Sequence, residues 1–285
     1  MTTNGDQLSL LSSQPPRHPA STTKARLVIL NAQHASPGRS ARQAEWLGSQ
    51  ETADLVVISE VGQGPGGDAL VTALADNGYA SVLAPAPTTS DYRTVLASRT
   101  QALEPVESGI SFLPHRAPAA AVRIGECTIG LLGLYVPSRG PKERRNEDKR
   151  AFQEAVAKTL PAFLDQFDGP VIVAGDLNIL EPDHVPHYRV FGDWEYDFYR
   201  AFTASGLTDA FRHLHPHITE HSWFGRSGNG YRFDHAFVTT SHVGRVQTCR
   251  YLHQPRQDKL TDHSVMTLTL LLARDTPHQV HQMDV

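Results

Sequence analysis

The sequence predicts an α/β fold in which β-sheets pack on one another with helices outside. Short apolar, β-branched runs bounded by turn residues recur from one end to the other. Helical stretches separate some of them, without the regular strand–helix alternation of an all-parallel sheet. The chain has 285 residues, 40% hydrophobic and 20% charged, enough to bury a sizeable core in one large domain or two small ones.

The strand-like runs are Arg26–Asn31, Asp54–Val61, Val95–Arg99, Ala119–Ile124, Cys127–Val136, Pro170–Asp176, Arg232–Thr239 and Ser264–Leu271. Helical spacing predicts helices over Arg39–Gln50, Gly67–Asn77, Lys142–Phe167 and Asp193–Ser205. In the third of these, Phe152, Val156, Leu160, Phe163 and Leu164 keep one face, and Pro161 is expected to bend or end it. No repeat of fixed period is visible, although two sheets of similar build could hide one. No Gly/Ser/Pro linker divides the chain, so one domain over residues 25–272 is expected. Residues 1–24, rich in Ser, Thr, Gln and Pro, read as a disordered tail, and 273–285 as a flexible one.

Composition narrows the function classes. A formal charge of −4 is not that of a protein that wraps nucleic acid through bulk charge, so any such contact needs a local basic face. The two cysteines, Cys127 and Cys249, give no disulfide framework and no thiolate metal site. A reducing compartment is the simplest reading, hence a cytoplasmic location. No apolar run is long enough for a membrane helix, the N-terminal stretch is unlike a signal peptide, and no obligate protein partner is evident.

The informative feature is positional. A chemically capable polar residue ends one predicted strand after another: Asn31, Glu60, Tyr135, then Asp176 and Asn178. Asp234 lies in YRFDH, and Asp262 and His263 immediately precede the last strand. Any one of these could be the start of a solvated loop, but unpaired buried carboxylates are costly. Gathered along one edge of packed sheets, they form a cleft of carboxylates, amides and one imidazole. Such oxygen-rich sets favour Mg²⁺ or Mn²⁺ over zinc and suit chemistry on a phosphate.

The pieces Asn31, Ser59-Glu60, Tyr135-Val136-Pro137, Gly175-Asp176-Leu177-Asn178, Arg232-Phe233-Asp234-His235 and Thr261-Asp262-His263-Ser264 resemble, in order, the motifs of the endonuclease/exonuclease/phosphatase superfamily. Leu207–His213, then Ser222-Trp223-Phe224, and a tyrosine rather than histidine at 135 resemble its exonuclease III/AP-endonuclease branch. The resemblance spans roughly residues 25–272 and implies a four-layer α/β/β/α sandwich of DNase I-like type. It further implies a Mg²⁺- or Mn²⁺-dependent phosphoesterase acting on a phosphodiester, DNA before other substrates. By the same resemblance Glu60 would be the principal metal ligand, supported by Asn31 and Asp262. Asp176 would position or deprotonate the attacking water, and Asn178 would hold the phosphate or that water. His263, oriented by Asp234, and Tyr135 would contact phosphoryl oxygens.

Departures from the family pattern bear on the substrate. Val61-Gly62 follow Glu60 where AP endonucleases carry Thr-Lys, and Asp91-Tyr92-Arg93-Thr94 replaces a Gly-rich approach to the next strand. Ser138 stands where a phosphate-binding Asn or Gln is typical, and the stretch from Trp223 to Arg232 is short. Ser138, Arg139, Arg99, Trp223, Tyr231 and Arg232 are the candidate substrate-binding residues, although Trp223 and Tyr231 are equally readable as core. Arg139–Arg150 carries six basic residues among three acids and reads either as a phosphate-attracting patch or as a solvated helix face. The bunched His213, His215, His217 and His221 match no closed zinc ligand set and read as a solvated loop. Beside DNA hydrolysis stand two alternatives: hydrolysis of a small phosphorylated metabolite or lipid headgroup, and a non-catalytic binding protein on the same fold.

Overall fold

Each central strand is apolar on both faces, which fits a strand covered by a sheet on one side and helices on the other. A computed structural model describes residues 23–50, 53–87, 91–139 and 143–272, with no side-chain description for 143–145. Its strands are β1 (Thr23–Asn31), β2 (Leu55–Val61), β3 (Ser81–Leu83), β4 (Arg93–Ser98), β5 (Leu103–Val106), β6 (Ala119–Ile124) and β7 (Cys127–Tyr135). They continue with β8 (Val171–Asp176), β9 (Leu207–Asp209), β10 (Trp223–Phe224), β11 (Gly230–Tyr231), β12 (Asp234–Thr239), β13 (Val246–Leu252) and β14 (Val265–Leu272). The helices are α1 (Pro37–Ser49), α2 (Pro65–Asp76), α3 (Glu143–Leu164), α4 (Asp193–Ala204), α5 (Ala210–Leu214) and α6 (Gln254–Gln257).

Two mixed six-stranded sheets result, ordered β13-β14-β1-β2-β4-β3 and β5-β6-β7-β8-β12-β9, with β10 and β11 forming a separate short ribbon. At the heart of each sheet lies a parallel pair joined by a helical crossover, β1-α1-β2 in one and β7-α3-β8 in the other. Antiparallel neighbours flank each pair, β14 and β4 in the first sheet, β6 and β12 in the second. The two sheets thus share a plan that shows in the sequence as no fixed period.

Alternation along the strands assigns residues to layers. Leu27, Ile29, Leu55 and Val57 face Leu131, Ile172, Ala174 and Ala236 in the core between the sheets. Their neighbours Val28, Leu30, Val56 and Ile58 pack under α1 and α2. On the far side, Leu132, Leu134, Val171 and Val173 pack against Phe152, Val156, Leu160 and Phe163 of α3 and Phe198 and Phe202 of α4. Each fully buried side chain of this size contributes roughly 1.5–3 kcal/mol, so the helix layers are integral to the fold. The four layers are those expected.

Three expectations need correction. Thr23 and Lys24, assigned to the tail, begin β1 and pair with Leu272 and Leu271; the rest of the two expected tails lies outside the described residues. Pro161 does not end α3, which runs to Leu164. The proline is solvent-exposed while Phe152, Val156, Leu160 and Phe163 stay buried, so packing of the opposite face carries the helix past it. Strands β3, β5, β9, β10, β11 and β13 were not among the expected runs.

A buried ionic cluster ties the loop after β8 to β9 and β12. Arg232, fully buried, donates to Glu181 Oε2 at 2.5 Å and Asp209 Oδ2 at 2.7 Å, and Arg212 forks onto Glu181. Burial works against the Glu181 carboxylate's charge, but the two guanidiniums prevail and hold its pKa at about 2. A depressed carboxylate pKa gives stability that is present above the unfolded value near 4.5 and is lost as pH falls toward about 2. Urea unfolding is expected to show that loss between pH 4.5 and 2. Arg232→Met is expected to cost about 3–5 kcal/mol at neutral pH, since it takes the buried guanidinium from two buried carboxylates and leaves Asp209 with no cation as close. Unchanged stability in Arg232→Met would refute this role.

Candidate active site

The cleft opens beyond the carboxyl ends of the two parallel pairs, where open α/β sheets commonly bind ligands. β1 ends at Asn31, β7 at Tyr135 and β8 at Asp176, whose register partners are Tyr135 and, on β12, Asp234. Glu60 reaches the cleft through a β-bulge. Ile58 pairs with Val95 and Val61 with Arg93, so Ser59 and Glu60 together oppose Thr94. Glu60 itself has φ 53°, a left-handed value rare for a glutamate and of the kind that gathers at functional sites.

Two close approaches set the depth of the cleft. Gly175 has φ 145°, and a Cβ there would fall 2.0 Å from the Leu134 carbonyl oxygen of β7. A Cβ on Gly133 would meet Leu96, Thr94 and Val57 of the opposite sheet within 3.2 Å. Glycine at both positions brings Tyr135 and Asp176 close to each other and to the opposite sheet.

A chain of hydrogen bonds crosses the gap between the sheets. Asp234 Oδ2 is 2.8 Å from His263 Nδ1, and His263 Nε2 is 3.5 Å from Asn31 Nδ2. Asn31 Nδ2 donates to Asp176 Oδ2 at 2.8 Å, which also accepts from Asn178 Nδ2 at 3.1 Å. Asp176 Oδ1 accepts the Asn178 backbone N–H at 2.9 Å, and Asn178 Nδ2 also donates to the Val136 carbonyl. The Asn31 carbonyl accepts from Thr261 Oγ1 at 2.6 Å, fastening the loop before His263 to the end of β1, the strand beside β14 in the same sheet.

Burial sharpens the electrostatics. It pushes the Asp176 carboxyl well above the usual carboxylate range, with Asp234 and Glu60 adding to the rise and His263 opposing it. His263 is equally buried, which disfavours its charge, but the Asp234 carboxylate overrides that and raises the imidazole to about 10. The Tyr135 phenol is driven well above its ordinary value by burial and then by Glu60 and Asp176, so it remains a donor at neutral pH. The Arg116 guanidinium stacks on the Tyr135 ring at 4.6 Å and is forked by Asp91.

Tyr135, Asp176, Asn178 and His263 line a cavity of about 410 Å³ with His34, Glu60, Tyr92, Ser138, Arg139, Val190, Phe191, Trp223, Tyr231, Phe233 and Asp262, while Asn31 and Asp234 lie buried behind its wall. One wall is aromatic: Tyr231 stacks on Phe233 with centroids 5.1 Å apart, and Trp223 and Phe191 adjoin them. Trp223 Nε1 donates to Asp262 Oδ2 at 2.9 Å. Arg139 Nη1 donates to Glu195 Oε2 at 2.5 Å, and Glu195 also takes the fully buried Lys149, whose Nζ donates to the Asn178 carbonyl. Lys149 belongs to the charge run 139–150, so that run is only in part a solvated face. His34, Tyr92, Lys149 and Glu195 were not expected here, and only their place in the fold brings them in.

Two expected substrate-binding residues are elsewhere. Arg99 donates to the carbonyls of Ala53, Asn77, Leu47 and Gly48 and stacks on Tyr79 at 4.5 Å, closing the loops at the other end of β2. Arg232 is locked in the ionic cluster described above. In both, the planar guanidinium satisfies buried acceptors of the chain itself. Among the described residues no group of three or more His, Cys, Asp or Glu side chains stands arranged around a cation position, the bunched histidines included. The donor set still suits a hard cation, which is commonly held by one or two carboxylates plus water. Asp262 Oδ1 and Asp234 Oδ1 are buried without a hydrogen-bond partner.

Fold and cleft together define a DNase I-like sandwich with a polar site at the joined strand ends. The chain belongs to the endonuclease/exonuclease/phosphatase family, whose profile matches residues 28–263. No sequence match was found among curated proteins. Among solved structures it is similar to a 3′-5′ exonuclease, NExo, from Neisseria meningitidis, with TM-score 0.69 and 20% identity over 85% of this chain and 98% of that one. NExo described as a 3′ phosphatase, from Neisseria and bound to a product DNA hairpin, matches with TM-score 0.69 and 18% identity over 86% and 98%. An AP endonuclease from Archaeoglobus fulgidus matches with TM-score 0.67 and 18% identity over 86% and 99%.

In metal-free protein, imidazole NMR is expected to find His263 protonated well past pH 8. The raised pKa gives stability present in full below 6.5 and lost as pH climbs through about 10. Asp234→Asn should return the titration to 6.5 or below; an unmoved titration would contradict the pairing.

Proposed function

We propose that the chain is a divalent-metal-dependent phosphodiester hydrolase, with DNA as first substrate and Mg²⁺ or Mn²⁺ as cofactor. The observation that carries this is the continuous Asp234–His263–Asn31–Asp176–Asn178 chain of hydrogen bonds facing Glu60 across one cleft. Glu60, with Asn31 and Asp262 nearby, would hold the cation, which when bound supplies Lewis-acid stabilisation of the phosphate and the leaving oxygen. Asp176 would take a proton from the attacking water as its carboxylate, the form that the neighbouring His263 imidazolium and the donated Asn31 and Asn178 amide N–H groups favour. Asn178 fixes that carboxylate and orients the water. The His263 imidazolium and the Tyr135 hydroxyl donate to non-bridging oxygens as negative charge develops. Attack forms the new P–O bond, and the bond to the leaving oxygen breaks. The fold neighbours described as a 3′-5′ exonuclease, a 3′ phosphatase bound to a product DNA hairpin and an AP endonuclease support this substrate class.

A second reading, a small phosphoester substrate, is favoured by the cavity itself. The aromatic wall and the volume near 410 Å³ suit one nucleotide-sized group. Arg139 is bound to Glu195, and Arg99 and Arg232 are absent from the cleft.

With Mg²⁺ or Mn²⁺, the protein should hydrolyse at least one of abasic duplex, single-stranded DNA, RNA and small phosphoesters. Asp176→Asn and Glu60→Ala should each lower kcat by about 10³-fold or more, the scale of losing a group that acts in the transition state. Wild-type inactivity across the panel, or variants as active as wild type, would refute the mechanism. Activity confined to small esters would promote the second reading.

A further inference from the structure

The mechanism above leaves His34 unused, although it stands at the Glu60 side of the cavity. Its backbone N–H donates to the Glu60 carbonyl at 2.9 Å, and its Nδ1 lies 2.9 Å from Glu60 Oε1. Main chain and side chain are thus both fixed to the same glutamate. Gln33 and His34 have φ 51° and 35°, so the chain doubles back over Glu60 directly after Asn31. Gln33 is held out of the way by Arg39, which donates to its side-chain oxygen at 2.8 Å and to its carbonyl. The imidazole stacks on Tyr92 at 5.4 Å and 30°, yet its side chain is 56% exposed, against 17% for Glu60.

We propose that His34 is a nitrogen ligand of the cation that Glu60 holds, and that it shifts the site from Mg²⁺ toward Mn²⁺ and Co²⁺. This rests on Glu60 being the cation's carboxylate. Two donors on adjacent positions of an octahedron, each about 2.1 Å from the ion, lie about 3.0 Å apart. The observed 2.9 Å between Nδ1 and Oε1 is a hydrogen bond, and it already holds the two atoms at a spacing that needs no rearrangement of the main chain to serve one ion. A turn of the exposed imidazole toward the cavity directs its lone pair to an ion shared with Oε1, in place of the hydrogen bond. As a plain ion pair, this half-exposed contact would be worth under about 1 kcal/mol. Nitrogen is bound more strongly along the first-row divalent series, least by Mn²⁺ and more by Co²⁺, whereas Mg²⁺ dehydrates reluctantly and is held through oxygen. An imidazole donor therefore adds more to Co²⁺ than to Mn²⁺ and least to Mg²⁺.

The test is cation binding to the full chain, without turnover. Mn²⁺ and Mg²⁺ are titrated calorimetrically, and the Mn²⁺-loaded protein is read by electron spin-echo modulation for directly bound ¹⁴N. Wild type should show histidine nitrogen modulation. His34→Gln should lose it and bind Mn²⁺ roughly tenfold or more weakly, with Mg²⁺ affinity changed less than about threefold. Thermal unfolding in metal-free buffer should be unchanged in this exposed variant, which separates ligation from misfolding. Modulation that persists in His34→Gln, or unchanged Mn²⁺ affinity, overturns the proposal. Glu60→Gln separates the two levels. If it alone abolishes binding, His34 is no ligand and the cation site stands; if it too binds Mn²⁺ as wild type does, the cation site itself is misplaced.

Discussion

Along the end of one sheet, Asp176, Asp209 and Asp234 are buried almost completely, and the surrounding structure is arranged around the cost of that burial. Asp209 takes Arg232 and the Tyr199 hydroxyl, Asp234 takes His263, and Asp176 takes two amides. The first solution is purely structural, a guanidinium with no access to solvent. The second and third leave an imidazole edge and a carboxylate on the cavity wall. One constraint therefore yields both a rigid support and a reactive surface. The difference lies in the partner: arginine fixes charge permanently, whereas histidine and amides leave the proton's location adjustable.

Much of this was legible in the sequence because the central strands are buried on both faces and read as unbroken apolar runs. Polar residues ending such runs, Asn31, Glu60, Tyr135 and Asp176, come together because both parallel pairs present their carboxyl ends to the same cleft. The strands that escaped notice are mostly two to four residues long; β13, longer, lies at a sheet edge where Gln247, Thr248 and Arg250 are exposed. Periodicity carries little signal in such segments.

Cations were the least legible class. Arg99 and Arg232 invited a reading as phosphate binders, yet each serves acceptors within the chain. Lys149 hid in a run of charges and proves to be buried on Glu195, beneath Asn178. Nothing local distinguishes these fates, because a guanidinium or ammonium meets a carbonyl, a carboxylate or a phosphate by the same geometry. Only long-range topology decides which acceptor is within reach, as with Glu195, 46 residues from Lys149.

The bulge in β2 reaches further than its size suggests. Ile58 and Val61 both pack under the helices although three positions apart, which a regular strand with its two-residue alternation does not permit. In a regular strand of the same residues, Glu60 would share Ile58's face and lie beneath α1 and α2, away from the cleft. Its place at the site is therefore a matter of counting as much as of chemistry. A chain that keeps every polar residue of the motif but runs through this point as a regular strand would carry its carboxylate under the helices. Comparisons within the family accordingly gain by tracking strand parity along with residue identity.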